Sequence, residues 1–313
     1  MTLTRRAALV LLGTAGFAAA CESGERAPSG RVRIATGSQT AVYYAYGTAM
    51  AQLIRDRLPG VQSSVLVTAA SAENVDKVLS GAAEVGFTQA DIAGDGANRS
   101  SGRLVTLARL YDDYLHLVVR QPSDIHTLAD LRGRKVSLGG PGSGTGITAA
   151  RLFSVAPDGL ADSLQKEQLG LDESVAALRE GRVDAFFFSG GLPVAAIETL
   201  AKSVALRLID LHDYVAPLGK RYGVEYYAER VVPRSTYSGV EPTVTIGIPN
   251  YLVVTAGMAE PMAYALTKVL FEGRDALARA HPAGARLNIR AAISTPPLSL
   301  HPGAAHYYRD VKV

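Results

Sequence analysis

Asn74-Val75, Val78, Gly81, Glu84 and Phe87 recur as Ser174-Val175, Leu178, Gly181, Asp184 and Phe187, at a constant offset of 100 residues. Each copy reads as a helix, a glycine stop, an acidic turn and a buried strand. A unit of that kind cannot bury its apolar face alone, so two copies argue for two similarly built halves. The echo extends upstream. Val32-Arg33-Ile34 opens into Thr36-Gly37-Ser38, and Val136-Ser137-Leu138 opens into Gly139-Gly140-Pro141-Gly142-Ser143-Gly144-Thr145-Gly146. In both, a strand enters a small polar loop ahead of a helix.

Strand and helix patterns alternate from Arg31 onward. Met50, Leu53, Ile54 and Leu58 form one apolar stripe on the first helix, and Pro59-Gly60 stops it. Val61, Ser63, Val65 and Val67 alternate as a strand, Ser71 caps a helix running through Leu79, and Gly81 ends that helix. The pattern predicts an α/β fold: a two-lobed clamshell of the type II periplasmic-binding-protein kind, each lobe a mixed, largely parallel sheet flanked by helices. Residues 31–116 with 240–313 are assigned to lobe 1 and residues 117–239 to lobe 2. The hinges are placed at Leu115 to Arg120 and around Gly247 to Leu252. Parallel sheets bind ligands beyond the carboxyl ends of their strands, so two facing lobes would enclose one ligand.

The N-terminus bounds the compartment. Arg5 and Arg6 precede an apolar stretch from Leu9 to Phe17 that is too short to span a bilayer, and Ala18-Ala19-Ala20 lead to Cys21. Residues 1–20 read as a signal peptide and Cys21, the chain's one cysteine, as a lipid-attachment site. Residues 21–30 read as the tether. The expected location is extracytoplasmic, with the lipid on Cys21 holding the protein to a membrane. A lipobox usually carries a larger aliphatic residue where Ala18 stands. Thr4-Arg5-Arg6 also fits a twin-arginine signal, which leaves the export route open. With 32 basic and 29 acidic residues in 313, bulk charge does not point to nucleic acid.

The glycine-rich loop at 139–146 can aim backbone N–H groups at a carboxylate or phosphate. It is not a Walker loop, because no lysine follows Gly144 or Gly146, and Pro141 stands where a nucleophile elbow needs glycine. The six histidines form no metal-ligand pair of zincin spacing. Neither an enzyme, a metal nor a cofactor is expected. Of the rings at Tyr43, Tyr44 and Tyr46, Tyr44 is assigned to the ligand and the other two to packing. Asn74 and Gln89 are uncharged groups able to read a polar solute or to cap backbone.

Six blocks in order carry a family resemblance: Ile34-Ala35-Thr36-Gly37 with Tyr43-Tyr44; Thr68-Ala69-Ala70-Ser71-Ala72-Glu73-Asn74; Phe87-Thr88-Gln89-Ala90-Asp91; Gly140-Pro141-Gly142-Ser143-Gly144-Thr145; Phe188-Ser189-Gly190-Gly191-Leu192-Pro193; and Gly247-Ile248-Pro249-Asn250-Tyr251-Leu252-Val253-Val254. The chain resembles the TAXI family, the extracytoplasmic receptors of one class of TRAP transporter. The resemblance implies capture of a small carboxylate or amino acid, such as glutamate, glutamine or a related dicarboxylate. It also implies delivery to a TRAP membrane permease, possibly a fused one, driven by an ion gradient. Ligand contacts carried over by motif are Tyr44, Asn74, Gln89, Ser143, Gly144, Thr145 and Gly191, with Thr36 and Ser38 nearby. The sequence departs from the family where Thr68-Ala69-Ala70-Ser71 holds alanines in place of a common glycine pair, and where Thr36 to Thr40 holds less glycine. Carboxylate capture is expected from hydroxyls and backbone N–H groups, without an arginine. A sensory lipoprotein and, from another class, a secreted hydrolase are the alternatives.

Overall fold

A computed structural model describes residues 27–312; the stretch read as a signal peptide and Cys21 lie outside them. Ten strands form one sheet: β1 (Gly30–Ala35), β2 (Val61–Leu66), β3 (Val85–Gln89), β4 (Leu104–Arg120), β5 (Lys135–Ser137), β6 (Gln165–Glu167), β7 (Ala185–Gly190), β8 (Leu206–Leu208), β9 (Ala228–Val232) and β10 (Thr243–Thr255). Their order is β2-β1-β3-β10-β4-β7-β5-β6, with β8 on β4 and β9 on β10. β1, β2 and β3 pair in parallel at one end, and β5, β6 and β7 do so at the other. The fold is the two-lobed α/β fold of the periplasmic binding proteins, with helices on a mixed sheet.

Two long strands join the ends. The first part of β4 pairs with β10, and from Tyr114 to Val119 it pairs with β7. The ladder between β4 and β10 shifts register between Pro249 and Tyr251, where proline cannot donate a ladder hydrogen bond. The sheet therefore changes partners around Asp113–Tyr114 and Gly247–Tyr251. β1 begins at Gly30, one residue inside the stretch read as tether, because its N–H bonds the Gly60 carbonyl at 3.0 Å.

The helices that position the site are α1 (Val42–Arg57), α2 (Ser71–Leu79), α3 (Ala90–Arg99), α4 (Gly144–Phe153), α5 (Leu160–Ser163) and α6 (Leu171–Arg179). On α1 the stripe Met50, Leu53 and Ile54 is buried as its spacing requires. Ser71 is the first residue of α2 and not its cap. Ala70 takes the cap position at φ +81°, and the Ser71 hydroxyl instead accepts from the Gln89 N–H at 3.3 Å.

The repeat is visible atom by atom. α2 and β3 in one half correspond to α6 and β7 in the other, and Gly81 and Gly181 share φ +75°. Glu84 accepts from the Arg33 N–H at 2.6 Å, and Asp184 accepts from the Lys135 N–H at 2.9 Å. Each carboxylate thus fixes the first strand of its half. The same contacts correct the upstream alignment: Ile34 pairs with Val85 as Val136 pairs with Ala185, so Ile34, not Val32, is the counterpart of Val136.

Candidate ligand-binding site

A cavity of about 300 Å³ opens beyond the carboxyl ends of β1, β3 and β7, between the two halves. Ala41, Val42, Ala69, Ala70, Leu169, Leu171, Phe187 and Phe188 make much of its wall apolar. Ser38, Tyr43, Ser71, Gln89, Tyr111, Asp113, Ser143, Thr145 and Ser189 supply side-chain polar atoms.

Gln89, at the end of β3, ties the halves together. Its Nε2 donates to Ser189 Oγ on β7 at 2.5 Å and to Asp113 Oδ2 on β4 at 3.0 Å, while its Oε1 accepts from Thr148 on α4 at 3.3 Å. Ser143 caps α4 by accepting from the Gly146 N–H at 3.1 Å. Gly144 and Thr145 are the first two helical residues, and their N–H groups have no intrahelical acceptor. The positive end of the helix faces the cavity there. Thr145 Oγ1 accepts from the Ser189 N–H at 3.0 Å and fixes the wall opposite Gln89. A Cβ on Gly144 would lie 2.9 Å from Ser71 Oγ, so this glycine marks where the two halves press together.

Asp113 is 3 % exposed, lines the cavity, and its Oδ1 has no hydrogen-bond partner. Burial pushes its carboxyl up to about 7, against the pull of Gln89 and Asn250 toward the ionised form. The buried Tyr111 hydroxyl, two residues earlier and on the same face of β4, also lines the cavity and lacks a partner. Tyr43 stacks on Phe87 with centroids 5.3 Å apart and donates to Asn250 Oδ1. No arginine or lysine is among the residues lining the cavity.

Of the residues expected at the ligand, Ser38, Gln89, Ser143, Gly144 and Thr145 line this cavity. Thr36, Tyr44, Asn74 and Gly191 do not. Tyr43 lines the cavity where Tyr44 was expected, because the helical period turns Tyr43 and Tyr46 inward together and leaves Tyr44 half-buried at the side. Asn74 is buried beneath the wall, where its Nδ2 donates to the Thr36 and Phe87 carbonyls at 2.5 and 2.8 Å and its Oδ1 accepts from Thr68 at 2.6 Å. Thr36 donates to the Leu66 carbonyl at 2.7 Å, so both residues knit strands together. Gly191 packs against Tyr111 and Ala283 in a neighbouring groove, and Gly190 takes the cavity wall.

Sequence reasoning missed Asp113 and Tyr111. The signal was the Asp112-Asp113 pair inside the largely apolar run from Leu104 to Val119, which offers one basic residue, Arg109, for two carboxylates. Asp112 is accounted for by Arg109 and Arg230, at 2.7 and 2.6 Å. Asp113 has no such partner.

A scaffold of paired α/β halves with a cavity lined by both is the fold of the periplasmic binding proteins. Residues 34–311 match the NMT1-like family, and the chain belongs to it. Its fold is similar to the periplasmic aliphatic sulphonate binding protein SsuA from Escherichia coli (21 % identity, TM-score 0.51, covering 90 % of this chain and 83 % of that one). It is also similar to a putative L-cystine ABC transporter protein from Listeria monocytogenes (14 %, 0.53, 82 % and 98 %) and to a variant of ArgBP from T. maritima (14 %, 0.50, 82 % and 95 %). Among the described residues no helix is long and apolar enough to cross a membrane.

Proposed function

We propose that this protein is an extracytoplasmic receptor that captures a small organic solute by closing its two halves and hands it to a membrane permease. The observation that carries the reading is the cavity itself: it is lined by both halves, and Gln89 from one bonds to Ser189 and Thr148 of the other at its wall. A ligand that touches both halves favours the closed form by its differential affinity, which is what a capture device requires. The similarity to an aliphatic sulphonate binding protein and to a putative L-cystine ABC transporter supports a small organic solute.

The resemblance to TAXI receptors supports a TRAP permease as the partner and a carboxylate as the solute. The free N–H groups of Gly144 and Thr145 suit a carboxylate. Lobe boundaries near 116/117 and 239/240, with closure hinging where β4 and β10 exchange partners, belong to the same reading, as does a lipid anchor on Cys21. A thermal-shift screen of amino acids and small carboxylates, followed by calorimetry, tests the receptor role: a true ligand raises the melting temperature and binds one per chain. Failure of every compound to bind at millimolar concentration would overturn it.

A further inference from the structure

Among the described residues, Asp113 is the one charged side chain on the cavity wall. Its Oδ2 is held by Gln89, and its Oδ1 is buried without a partner. A buried polar atom that no protein group satisfies costs free energy unless a ligand completes it. The remainder of the site supplies donors: the N–H groups at the start of α4 face the cavity, and the Tyr111 hydroxyl stands beside Asp113. The unmatched acceptor is thus open to a donor carried by the ligand.

We propose that Asp113 receives an ammonium group of the ligand, so that the solute is an amino acid with an uncharged side chain rather than a dicarboxylate. The amino end lies on Asp113 and the carboxylate lies at the N-terminus of α4, with Gln89 between the two and in contact with each. The largely apolar wall takes the side chain. A dicarboxylate would bring its second carboxylate against an apolar wall, with no basic residue there to receive it. This assignment rests on the receptor reading and narrows its substrate class.

The test uses the purified mature chain with the common L-amino acids, the 2-oxo acid matching each amino acid that binds, and succinate and glutarate. The 2-oxo acid keeps the carboxylate and side chain and lacks the amine donor. The expected result is that one or more uncharged amino acids bind, and that the matching 2-oxo acids and both dicarboxylates bind at least roughly tenfold more weakly. Asp113→Asn keeps the shape of the side chain and should weaken amino-acid binding by roughly tenfold or more, with an unchanged circular-dichroism spectrum showing that it folds. Tighter binding of a 2-oxo acid or dicarboxylate than of any amino acid would overturn the assignment while leaving the receptor role standing. Wild-type affinity in the Asp113→Asn variant would do the same. Binding of no compound at all would overturn the receptor role and this assignment with it.

Discussion

Asp113 and His116 sit three residues apart on β4 and respond to acid in opposite directions. Burial raises the Asp113 carboxyl from its ordinary 3.8 to about 7, so the folded protein holds a proton that the unfolded chain releases between those values. Its stabilising effect is complete below pH 3.8 and is lost as pH rises through 7, at most roughly 4 kcal/mol at 1.36 kcal/mol per unit. Burial lowers His116 from 6.5 to about 4, with its Nδ1 facing the Tyr114 carbonyl at 2.8 Å. The folded protein therefore loses stability through His116 as pH falls from 6.5 to 4, by roughly 3 kcal/mol. Asp113→Asn removes the first effect and keeps the second. In urea denaturation the unliganded variant should exceed wild type by a few kcal/mol at pH 7.5, and the advantage should vanish near pH 4. A constant difference across that range would contradict the assignment of the proton to Asp113. The same titration predicts that ammonium binding weakens as pH falls below 7, because a protonated Asp113 offers less charge. The groups acting on it there are Tyr43, Gln89, Asp91, Tyr111, Asp112 and Asn250. Ala70 adds a second prediction at this scale: at φ +81°, ψ −138° it holds a backbone conformation suited to glycine, on the cavity wall where the related motif carries glycines. Ala70→Gly should raise stability by about 1 kcal/mol, read from the urea midpoint. Single side chains were the least legible part of the sequence. Tyr43 and Tyr44 differ only by the phase of a helix whose first residue a sequence does not mark, and Asp113 becomes a site only once burial leaves it alone.

Elements were more legible, because their signals are local and repeated. The hundred-residue echo and the glycine stops at Gly81 and Gly181 correspond to structure, since each follows from short-range geometry, whereas the cap expected at Ser71 falls on Ala70. What the echo did not carry was how elements from different halves lock together. One such lock joins α3 and α4: Arg151 contacts Asp91 at 2.7 Å and also pairs with Asp95, while the Tyr227 hydroxyl donates to the same Asp91 oxygen at 2.8 Å. Asp91 is fully buried; burial lifts its pKa, and Arg151 is the largest of the influences holding it ionised. Partners 60 residues apart in sequence leave no local trace. Removing one member of such a pair strands a buried charge. Arg151→Ala should destabilise the protein by about 3 kcal/mol in chemical denaturation, and Arg151→Met combined with Asp91→Asn should recover most of that loss. An Arg151→Ala variant as stable as wild type would show that water already reaches the pair.

For the whole molecule, the architecture was readable from alternation and repeat. The joining of both halves through one continuous sheet was not, because the partner exchange of β4 depends on pairings distant in sequence, such as Leu115 with Ser189. In the proposed closure, a rotation about β4 and β10 would bring Gly144 of α4 against Gln89 and Ser71 of the other half, where this structure holds them. Closure therefore has a steric gauge. Gly144 has an ordinary helical backbone and lies at the start of α4, so alanine there costs nothing in the open form and favours the helix by a few tenths to about 1 kcal/mol. In the closed form the added methyl would fall well inside contact distance of Gln89 Oε1 and 2.9 Å from Ser71 Oγ, so the halves would stop short of full contact. Gly144→Ala should keep or slightly raise the unfolding midpoint without ligand, and lose affinity by roughly tenfold or more. Small-angle scattering should show wild type contracting on ligand addition and the variant staying extended. If Gly144→Ala bound and contracted like wild type, the contact between Gly144 and Gln89 would not be what limits closure, and the gauge would have to lie at the rim, where Thr40 of the first half meets Asp172 of the second at 2.9 Å.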